Sequence, residues 1–320
     1  MAASKRQKKM AKRQQQPIIS SLLILGVAAL MVAVNLASDL NSPTLFLLKA
    51  VSQPITAALL IALAAYTAYA RMKLVTLTAV LAALINAPFL LPNFSLSTAS
   101  SSHESNAKLI VATFSTLSRT KNLDDIIGLV KSRNPDLLCL QELSQVDRQI
   151  LYKRLAGHYA HRLENNNNQL TLSHFPLTLD DDVGHYLVGT LRHPKWGEIE
   201  VINVHMPRPY LNIGLSKSWQ KLLRHLDSQS TTLLCGDLNI TPNNSLYDSL
   251  RYRYNLNDSL SSGYGFTYPN AERRSAIFGP LIRIDYIFTR GMNANKTQTL
   301  NVSNLSDHRA VITQLSPDKP

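Results

Sequence analysis

The stretch TTLLCGDLNITP, residues 231–242, decides the fold class of this chain. It begins with the apolar and β-branched run TTLLC, which is the composition of a buried strand. The run is followed by an acid, Asp237, and an amide, Asn239. Polar side chains directly after a strand lie at an edge of the sheet, where a ligand can reach them.

Four further apolar runs end in, or begin after, a side chain that can take part in chemistry. They are LCLQE with Glu142, VINVH with His205, RIDYIF with Asp285, and SDHRAV with Asp307 and His308. One such residue alone indicates no more than a loop cap or a solvated charge. Five strings in one chain are hard to assign to capping, because strand ends that are distant in sequence can gather at one edge of a sandwich.

The segments around these strings alternate helix and strand patterns and then change to a meander of short strands. Strands are predicted at 108–114, 134–142, 169–173, 186–192, 198–205, 231–237, 282–288 and 310–315, and helices at 122–133, 145–156 and 216–228. Mixed helices and many short strands predict an α/β class, with sheet packed on sheet and helices outside.

The five strings, in this order, resemble the motifs of the endonuclease/exonuclease/phosphatase superfamily. The resemblance covers about residues 108–315 and implies a four-layered α/β sandwich of two mixed sheets flanked by helices. The superfamily includes pancreatic-type deoxyribonucleases, abasic-site endonucleases, neutral sphingomyelinases and inositol polyphosphate phosphatases. The resemblance therefore implies hydrolysis of phosphoric esters or anhydrides, without choosing the substrate.

By this resemblance, three residues are expected at a metal site. Glu142 is expected to be the main ligand, with Asp307 as a second, because Mg²⁺, or Mn²⁺ in its place, prefers carboxylate oxygen. Ser115 stands where the family's first strand usually ends in Asn. Its hydroxyl can still accept a hydrogen bond from a metal-bound water, but the shorter side chain predicts weaker metal binding.

The resemblance also implies the catalytic roles. Asp237 is expected to orient and deprotonate the attacking water, and Asn239 to hold a phosphate oxygen. His308, oriented by Asp285, is expected to hydrogen-bond the phosphoryl group as negative charge develops on it. His205 is expected to contact a phosphate oxygen or the leaving group.

Other polar residues have weaker arguments. Arg208 in HMPRP is expected to bind the substrate anion, and the pair Arg273–Arg274 could do the same. A solvated loop charge explains these arginines equally well. His174 could face the site, or it could be an ordinary surface histidine.

Cys139 and Cys235 are the chain's two cysteines, and both lie inside apolar strand runs. Free buried thiols are the default expectation for such positions. A disulfide would require neighbouring strands with suitable geometry and an oxidising compartment.

Composition differs sharply between the two ends of the chain. A hydrophobic share of 45% excludes a disordered chain, and 12 Gly, 15 Pro and two Cys exclude collagen-like and disulfide-scaffold classes. Residues 1–91 hold nine of the 33 basic and one of the 21 acidic residues, so residues 92–320, with 24 basic and 20 acidic, carry only +4 of the net +12. The high net charge is therefore weak support for nucleic-acid binding.

Three apolar runs in 17–91, at about 18–37, 51–70 and 74–91, predict three transmembrane helices after a basic arm at 1–16. A secretory signal peptide would be followed by soluble sequence, whereas two more apolar runs follow the first. The second and third runs are rich in Ala and Thr, and a membrane-surface hairpin or buried helices are the alternative for them.

The positive-inside rule predicts the orientation. The basic arm and the RMK sequence at 71–73 are expected in the cytoplasm, and the connection SDLNSPT, which has no Lys or Arg, outside. An odd number of spans places the Ser-rich linker at 92–107 and the catalytic domain at 108–320 outside the inner membrane. If one of the two weaker runs does not insert, the domain lies in the cytoplasm.

Tethering guides the choice of substrate. A linker of about 15 residues reaches at most about 50 Å, so lipid or isoprenoid headgroup phosphates are the most accessible. The bilayer and a phosphorylated substrate are the expected partners. Two alternatives stay open: a membrane-anchored nuclease, for which scattered tyrosines and +4 give little support, and an inactive membrane scaffold or sensor, motivated by Ser115.

Overall fold

The structure is a computed structural model of the 320-residue chain. It describes residues 2–37, 39, 42–70, 72–90, 108–117, 123–208, 216–260, 263–270, 279–302 and 306–318. The chain divides into two compact units, Met1–Pro92 and Asn93–Pro320. The expected linker at 92–107, Arg71 and the pair Arg273–Arg274 lie outside the described residues.

Three helices form the first unit: α1 (Ala2–Leu36), α2 (Pro43–Tyr69) and α3 (Lys73–Leu90). The basic arm is the first part of α1 and not a separate segment. Ser42 caps α2, since its side chain accepts a hydrogen bond from the backbone N–H of Leu45. The helices meet through small and branched side chains, including Ala28, Leu60 and Ala82.

One helical stretch, Pro17–Leu36, is long and apolar enough to cross a membrane. The apolar stretches of the other two helices, Ile55–Tyr69 and Lys73–Ala87, are shorter among the described residues. Fifteen helical residues rise about 22 Å, less than a hydrocarbon core of about 30 Å. One candidate span therefore replaces the three that the sequence predicted.

Two six-stranded sheets form the second unit, in the orders β11-β12-β1-β2-β4-β3 and β5-β6-β7-β8-β10-β9. The strands are β1 (Leu109–Ser115), β2 (Leu137–Gln141), β3 (His161–Glu164), β4 (Leu170–Ser173), β5 (Leu177–Asp182), β6 (Tyr186–His193), β7 (Gly197–His205), β8 (Thr232–Asp237), β9 (Asn257–Asp258), β10 (Asp285–Arg290), β11 (Met292–Leu300) and β12 (Ala310–Pro317). Each sheet is mixed, because β1 and β2 are parallel, as are β7 and β8, while the other pairs are antiparallel. The predicted α/β sandwich of two mixed sheets is confirmed.

The described part of this unit has four α-helices: α4 (Asp124–Arg133), α5 (Gln145–Leu155), α6 (Lys217–His225) and α7 (Ser245–Asp248), the last followed by a π-helical turn, Ser249–Arg253. Strand β2 shows how the layers are built. Its Leu137 and Cys139 belong to the core between the sheets, and its Leu138 and Leu140 to the core beneath α4 and α5. Both faces are buried, which explains why the sequence LLCL is apolar without interruption.

Four strands were not predicted: β3, β5, β9 and β11. All four are edge strands: β11 and β3 are the two edges of one sheet, and β5 and β9 are the two edges of the other. Edge strands carry polar side chains because one side faces water, as in LTLDDD of β5 and MNANKTQTL of β11. The apolar alternation that reveals central strands is therefore weak in them.

A disulfide joins Cys139 of β2 to Cys235 of β8, with the two Cα atoms 6.6 Å apart. It crosses from one sheet to the other within the core that separates them. The expectation of free buried thiols is wrong, because the packing of two sheets brings together positions that are 96 residues apart.

Candidate active site

The strand directions bring the predicted residues to one end of the sandwich. Strands β1 and β2 end together, as do β7 and β8, because each pair is parallel. Strand β10 is antiparallel to β8 and begins there, with its first residue, Asp285, paired in register with Asp237. We call this end of the two sheets the site edge.

Asp237, Asp285 and His308 form a buried cluster at the site edge. The Nδ1 atom of His308 lies 2.9 Å from Oδ2 of Asp285, and its Nε2 atom lies 3.9 Å from Oδ2 of Asp237. One ligand atom from each of the three residues lies within 4.8 Å of the others, so the cluster is a candidate metal-binding triad. It is the one group of this kind among the described residues.

The charges of this cluster alter its proton affinities. Burial lowers the pKa of His308, but the carboxylates of Asp285, Asp237 and Asp307 outweigh burial and raise it to about 10. Burial raises the pKa of Asp237 to about 6, although the charge of His308 opposes the shift. This pKa favours the imidazolium form of His308 at neutral pH, in which Nδ1–H is donated to Asp285 and Nε2–H is a further donor.

Glu142 and His205 lie on the more open side of this cluster. Oε1 of Glu142 is 3.3 Å from Nε2 of His205, and the two side chains are 23% and 28% exposed. The hydrogen bond from His205 lowers the pKa of Glu142 in spite of burial. Burial lowers the pKa of His205, but the hydrogen bond to Glu142 and the charge of Asp237 outweigh it, so that this pKa is raised. Arg208 is exposed, and its charge also lowers the pKa of Glu142.

Local backbone conformation positions two of these groups. Glu142 and Asn239 adopt left-handed conformations, with φ of 57° and 53°, which are uncommon for a non-glycine residue, although Asn adopts them more readily than Glu. Gly236, with φ of 139°, precedes Asp237, and a Cβ atom at this position would lie 2.0 Å from the carbonyl oxygen of Val204. Only glycine therefore allows β8 to approach β7 so closely beside the site.

Asn239 holds Asp237 in place. Its backbone N–H donates to Oδ1 of Asp237 at 2.9 Å, and its side-chain Nδ2 donates to Oδ2 of Asp237 at 3.2 Å and to the Met206 carbonyl at 2.9 Å. The contact of Asn239 with a phosphate oxygen stays a prediction.

At the site edge, Oγ of Ser115 and Oδ1 of Asp285 are buried and have no hydrogen-bond partner among the described residues. Ser115 is fully buried at the end of β1, and its carbonyl accepts a hydrogen bond from Oγ of Ser306 at 2.8 Å. Asp307 is buried, with Oδ1 3.8 Å from Nε2 of His308. Because buried oxygens are normally satisfied, the unpartnered oxygens of Ser115 and Asp285 are donors of the type that suits a hard divalent cation.

His174 is not at the site edge. It follows β4, which is antiparallel to β2, and its Nδ1 lies 3.3 Å from Oδ1 of Asp136, the residue just before β2. The possibility that His174 faces the site is therefore wrong, because an antiparallel strand carries the residue after it to the opposite end of the sheet.

Sequence reasoning missed several residues around the site. Gln141 and Asn203 are fully buried and hydrogen-bonded to each other, and the ring of Tyr268 lies 5.2 Å from that of His308. Gln141 and Asn203 were visible within the strings LCLQE and VINVH. Their role could not be inferred, since a polar residue in a strand normally points to water.

Known proteins resemble this chain in sequence and fold. The sequence model of the endonuclease/exonuclease/phosphatase family matches residues 111–308. An endonuclease/exonuclease/phosphatase from Bacteroides vulgatus is 15% identical, with a TM-score of 0.52, and the match covers 66% of this chain and 100% of that one. A family protein from Bacteroides thetaiotaomicron is 16% identical, with a TM-score of 0.52, and the match covers 67% of this chain and 99% of that one. The 3′ phosphatase NExo from Neisseria, bound to a product DNA hairpin, is 17% identical, with a TM-score of 0.50, and the match covers 66% of this chain and 100% of that one. At these identities the likeness concerns the fold alone, and no curated protein sequence matches the chain.

Proposed function

The chain belongs to the endonuclease/exonuclease/phosphatase family, and from this premise we propose that it is a divalent-metal-dependent hydrolase of phosphoric esters or anhydrides. The family membership confirms the resemblance seen in the five strings. The observation that carries the proposal is the convergence of Asp237, His308 and Glu142, through His205, at one edge of the sandwich. Members of this family include phosphatases and nucleases, so membership leaves the substrate open.

Carboxylates beside an anionic substrate require a cation between them. Glu142 would be the main ligand because its carboxylate is the most exposed of the site and is ionised. Asp307 would be a second ligand, with Oγ of Ser115 near a bound water. When bound, the metal supplies positive charge to the phosphate oxygens and the leaving oxygen.

The triad of Asp237, Asp285 and His308 supports a protonic role better than ligation. A metal ligand must be a neutral imidazole, whereas the carboxylates around His308 raise its pKa to about 10. Asp285 holds the Nδ1–H, so that Nε2–H points toward the space beside Asp237. We assign this N–H to the phosphoryl oxygen on which negative charge develops.

Asp237 is suited to be the general base. Burial raises its pKa to about 6, which makes the carboxylate more basic than an exposed Asp and still ionised at neutral pH. Asn239 fixes both of its oxygens. Asp237 would take a proton from the attacking water, and His205 would contact a phosphate oxygen or the leaving group. Arg208 would bind a further negative charge of the substrate.

We propose a lipid or isoprenoid headgroup as the substrate, since the N-terminal unit would hold the enzyme at a membrane. Only 11% of the apolar stretch Pro17–Leu36 is buried, and its exposed side chains include Leu22, Leu23 and Leu30. A segment of 15 residues, 93–107, reaches at most about 50 Å, so phosphates on lipids are the most accessible substrates for a tethered domain.

A substrate panel tests the function. The full chain in detergent or liposomes is assayed with Mg²⁺ or Mn²⁺ on bis-p-nitrophenyl phosphate, a polyprenyl pyrophosphate, a phospholipid and plasmid DNA. We expect metal-dependent release of phosphate or headgroup from a lipid substrate and a loss of at least about 100-fold in kcat for Asp237→Asn. Arg192→Gln, a change in an exposed ion pair with Glu198, is the matched control and should retain activity.

The outcomes of this panel separate the alternatives. Cleavage of DNA alone would contradict the lipid proposal and favour the membrane-anchored nuclease. Metal-independent turnover, or equal activity in Asp237→Asn, would contradict the assigned site. Absence of turnover on all four substrates would favour an inactive scaffold.

A further inference from the structure

Two amide side chains cross the core between the sheets just beneath the site edge. Gln141 is the last residue of β2 and directly precedes Glu142, and Asn203 lies in β7, two residues before His205. Nε2 of Gln141 donates to Oδ1 of Asn203 at 2.8 Å. Gln141 is 0% and Asn203 1% exposed, so this bond lies in a water-excluded layer. We call this pair the amide bridge.

The amide bridge is saturated by its surroundings. Nδ2 of Asn203 donates to Oγ1 of Thr171 at 3.0 Å and to the Leu170 carbonyl at 3.1 Å, both in β4 of the other sheet. Nε2 of Gln141 also lies 3.0 Å from Oγ1 of Thr113 in β1. The amide bridge therefore connects β1, β2 and β4 of one sheet with β7 of the other.

The position of the amide bridge gives it a geometric consequence. Asn203 in β7 is in register with Cys235 in β8, and two residues later His205 is in register with Asp237. Asn203 therefore lies at the same distance along its strand from His205 as Cys235 does from Asp237. Glu142 belongs to the opposite sheet, and only contacts across the gap determine its distance from His205. The distance between Oε1 of Glu142 and Nε2 of His205 is 3.3 Å, and it spans the two sheets one residue after Gln141 and two residues after Asn203.

Burial of two amides has an energetic cost that an apolar pair would avoid. Further from the site edge the core between the sheets is apolar, with Val201, Leu233 and Ile287 fully or almost fully buried. A hydrogen-bonded amide pair accepts a narrow range of distances and angles, whereas apolar side chains slide. The amide bridge therefore supplies directionality, which apolar packing at the same position cannot.

We infer that Gln141 and Asn203 are positioning residues, which set the separation of the two sheets at the site and thereby hold Glu142 against His205 and Asp237. The inference rests on the proposed function. A displacement of about 1 Å at a reacting centre can lower the rate about 100-fold. Loss of a group that orients a metal ligand commonly lowers metal affinity about 10- to 100-fold.

Three variants test the inference: Asn203→Leu, Gln141→Met, and the two combined. Each single variant leaves one amide buried without its partner, whereas the combined variant removes both. The control is Thr313→Val in β12, which removes a buried side-chain hydrogen bond to Thr297 in the sheet of Glu142. The measurements are Tm, Mn²⁺ affinity by titration calorimetry, and kcat and KM with the substrate that the panel identifies.

We expect both single variants to lose Tm, and the combined variant to recover part of that loss. The kcat of all three should stay at least about tenfold below that of the wild type, with KM within about threefold, and Mn²⁺ affinity should fall about tenfold. Thr313→Val should lose Tm with kcat and Mn²⁺ affinity within about twofold. This separation of stability from activity is what a merely structural amide pair would not produce.

Recovery of kcat and Mn²⁺ affinity together with Tm in the combined variant, or equal losses in Thr313→Val, would overturn the inference. If the wild type binds Mn²⁺ but hydrolyses no substrate, the proposed function fails, and the order of Mn²⁺ affinities still decides whether the amide bridge positions Glu142. If the wild type neither binds Mn²⁺ nor turns over any substrate, both proposals fail.

Discussion

The imidazole of His308 is almost fully buried among the carboxylates of Asp237, Asp285 and Asp307. In such surroundings the charged form of the ring is favoured, because the nearby negative charges outweigh the loss of hydration. This single residue therefore combines two properties that the proposed reaction needs: a fixed positive charge and a free N–H donor.

We predict that His308 stays protonated in the metal-free protein at pH values where ordinary histidines are neutral. Its pKa is raised to about 10 from 6.5. A group whose pKa is higher in the folded state stabilises the fold fully below the unfolded value of about 6.5, and this contribution is lost as the pH rises through about 10. Imidazole NMR from about pH 5 to about pH 12 covers both the ordinary and the raised pKa and measures the titration directly.

Asp285→Asn is the matched variant for this experiment, because it removes the carboxylate nearest to the ring, 2.9 Å away, and keeps the side-chain shape. The pKa of His308 should fall in this variant. A wild-type His308 that titrates near pH 6.5 would contradict the assigned charge state.

Ser115 gives a second prediction at the residue scale. Its Oγ is buried without a hydrogen-bond partner among the described residues, at the place where the family usually has Asn. Ser115→Asn should raise Mg²⁺ and Mn²⁺ affinity by up to about tenfold, because a longer amide oxygen reaches further toward the site. Calorimetric titration measures the change. Weaker binding with an unchanged Tm would show that Ser115 does not adjoin the metal.

At the scale of secondary-structure elements, the two sheets are joined at neighbouring points by one covalent and one hydrogen-bonded connection. The disulfide links β2 to β8, and the amide bridge links β2 to β7. These are the strands that end in the residues of the proposed site. The element pattern of the sequence predicted the central strands well, since their apolar runs are long, but it contained no information on which strands lie opposite each other.

The disulfide predicts a measurable share of the stability. Cross-linking positions 96 residues apart restricts the unfolded chain, and removal of such a bond typically costs about 2–5 kcal/mol. The double variant Cys139→Ala, Cys235→Ala should lower the free energy of unfolding of the chain by this amount in urea denaturation. Reductant should lower the stability of the wild type and leave that of the double variant unchanged. Equal stability of oxidised and reduced wild type would contradict the prediction.

On the scale of the whole molecule, the disulfide and the N-terminal helices bear on the same question, the side of the membrane on which the domain lies. Disulfides persist in oxidising compartments, so the bond supports the proposed extracytoplasmic location. A buried ion pair joins Asp39, the one acidic residue of 1–91, to Lys49 at 3.5 Å. Pairing the two charges lowers the cost of burying them inside the N-terminal unit.

Reporter fusions after Pro320 test the sidedness. One span and three spans both place the domain outside, so alkaline phosphatase should be active and green fluorescent protein dark in either case. Fluorescence without phosphatase activity would contradict this location. Deletion of residues 72–91 then distinguishes the two counts: it should move the reporter to the cytoplasm if three helices span the membrane, and leave it outside if only α1 does.

Local sequence was sufficient to predict the family and to select the candidate site residues, because a buried strand followed by an acid, amide or imidazole is a pattern within a few positions. It also indicated the α/β class, since helix and strand periods differ. The partners of these residues were decided by the tertiary structure alone. The bond of His308 to Asp285, the pairing of Cys139 with Cys235 and the amide bridge all join residues that are distant in sequence. An apolar pattern that repeats every two residues shows that one face of a strand is buried, but it does not show which other face packs against it.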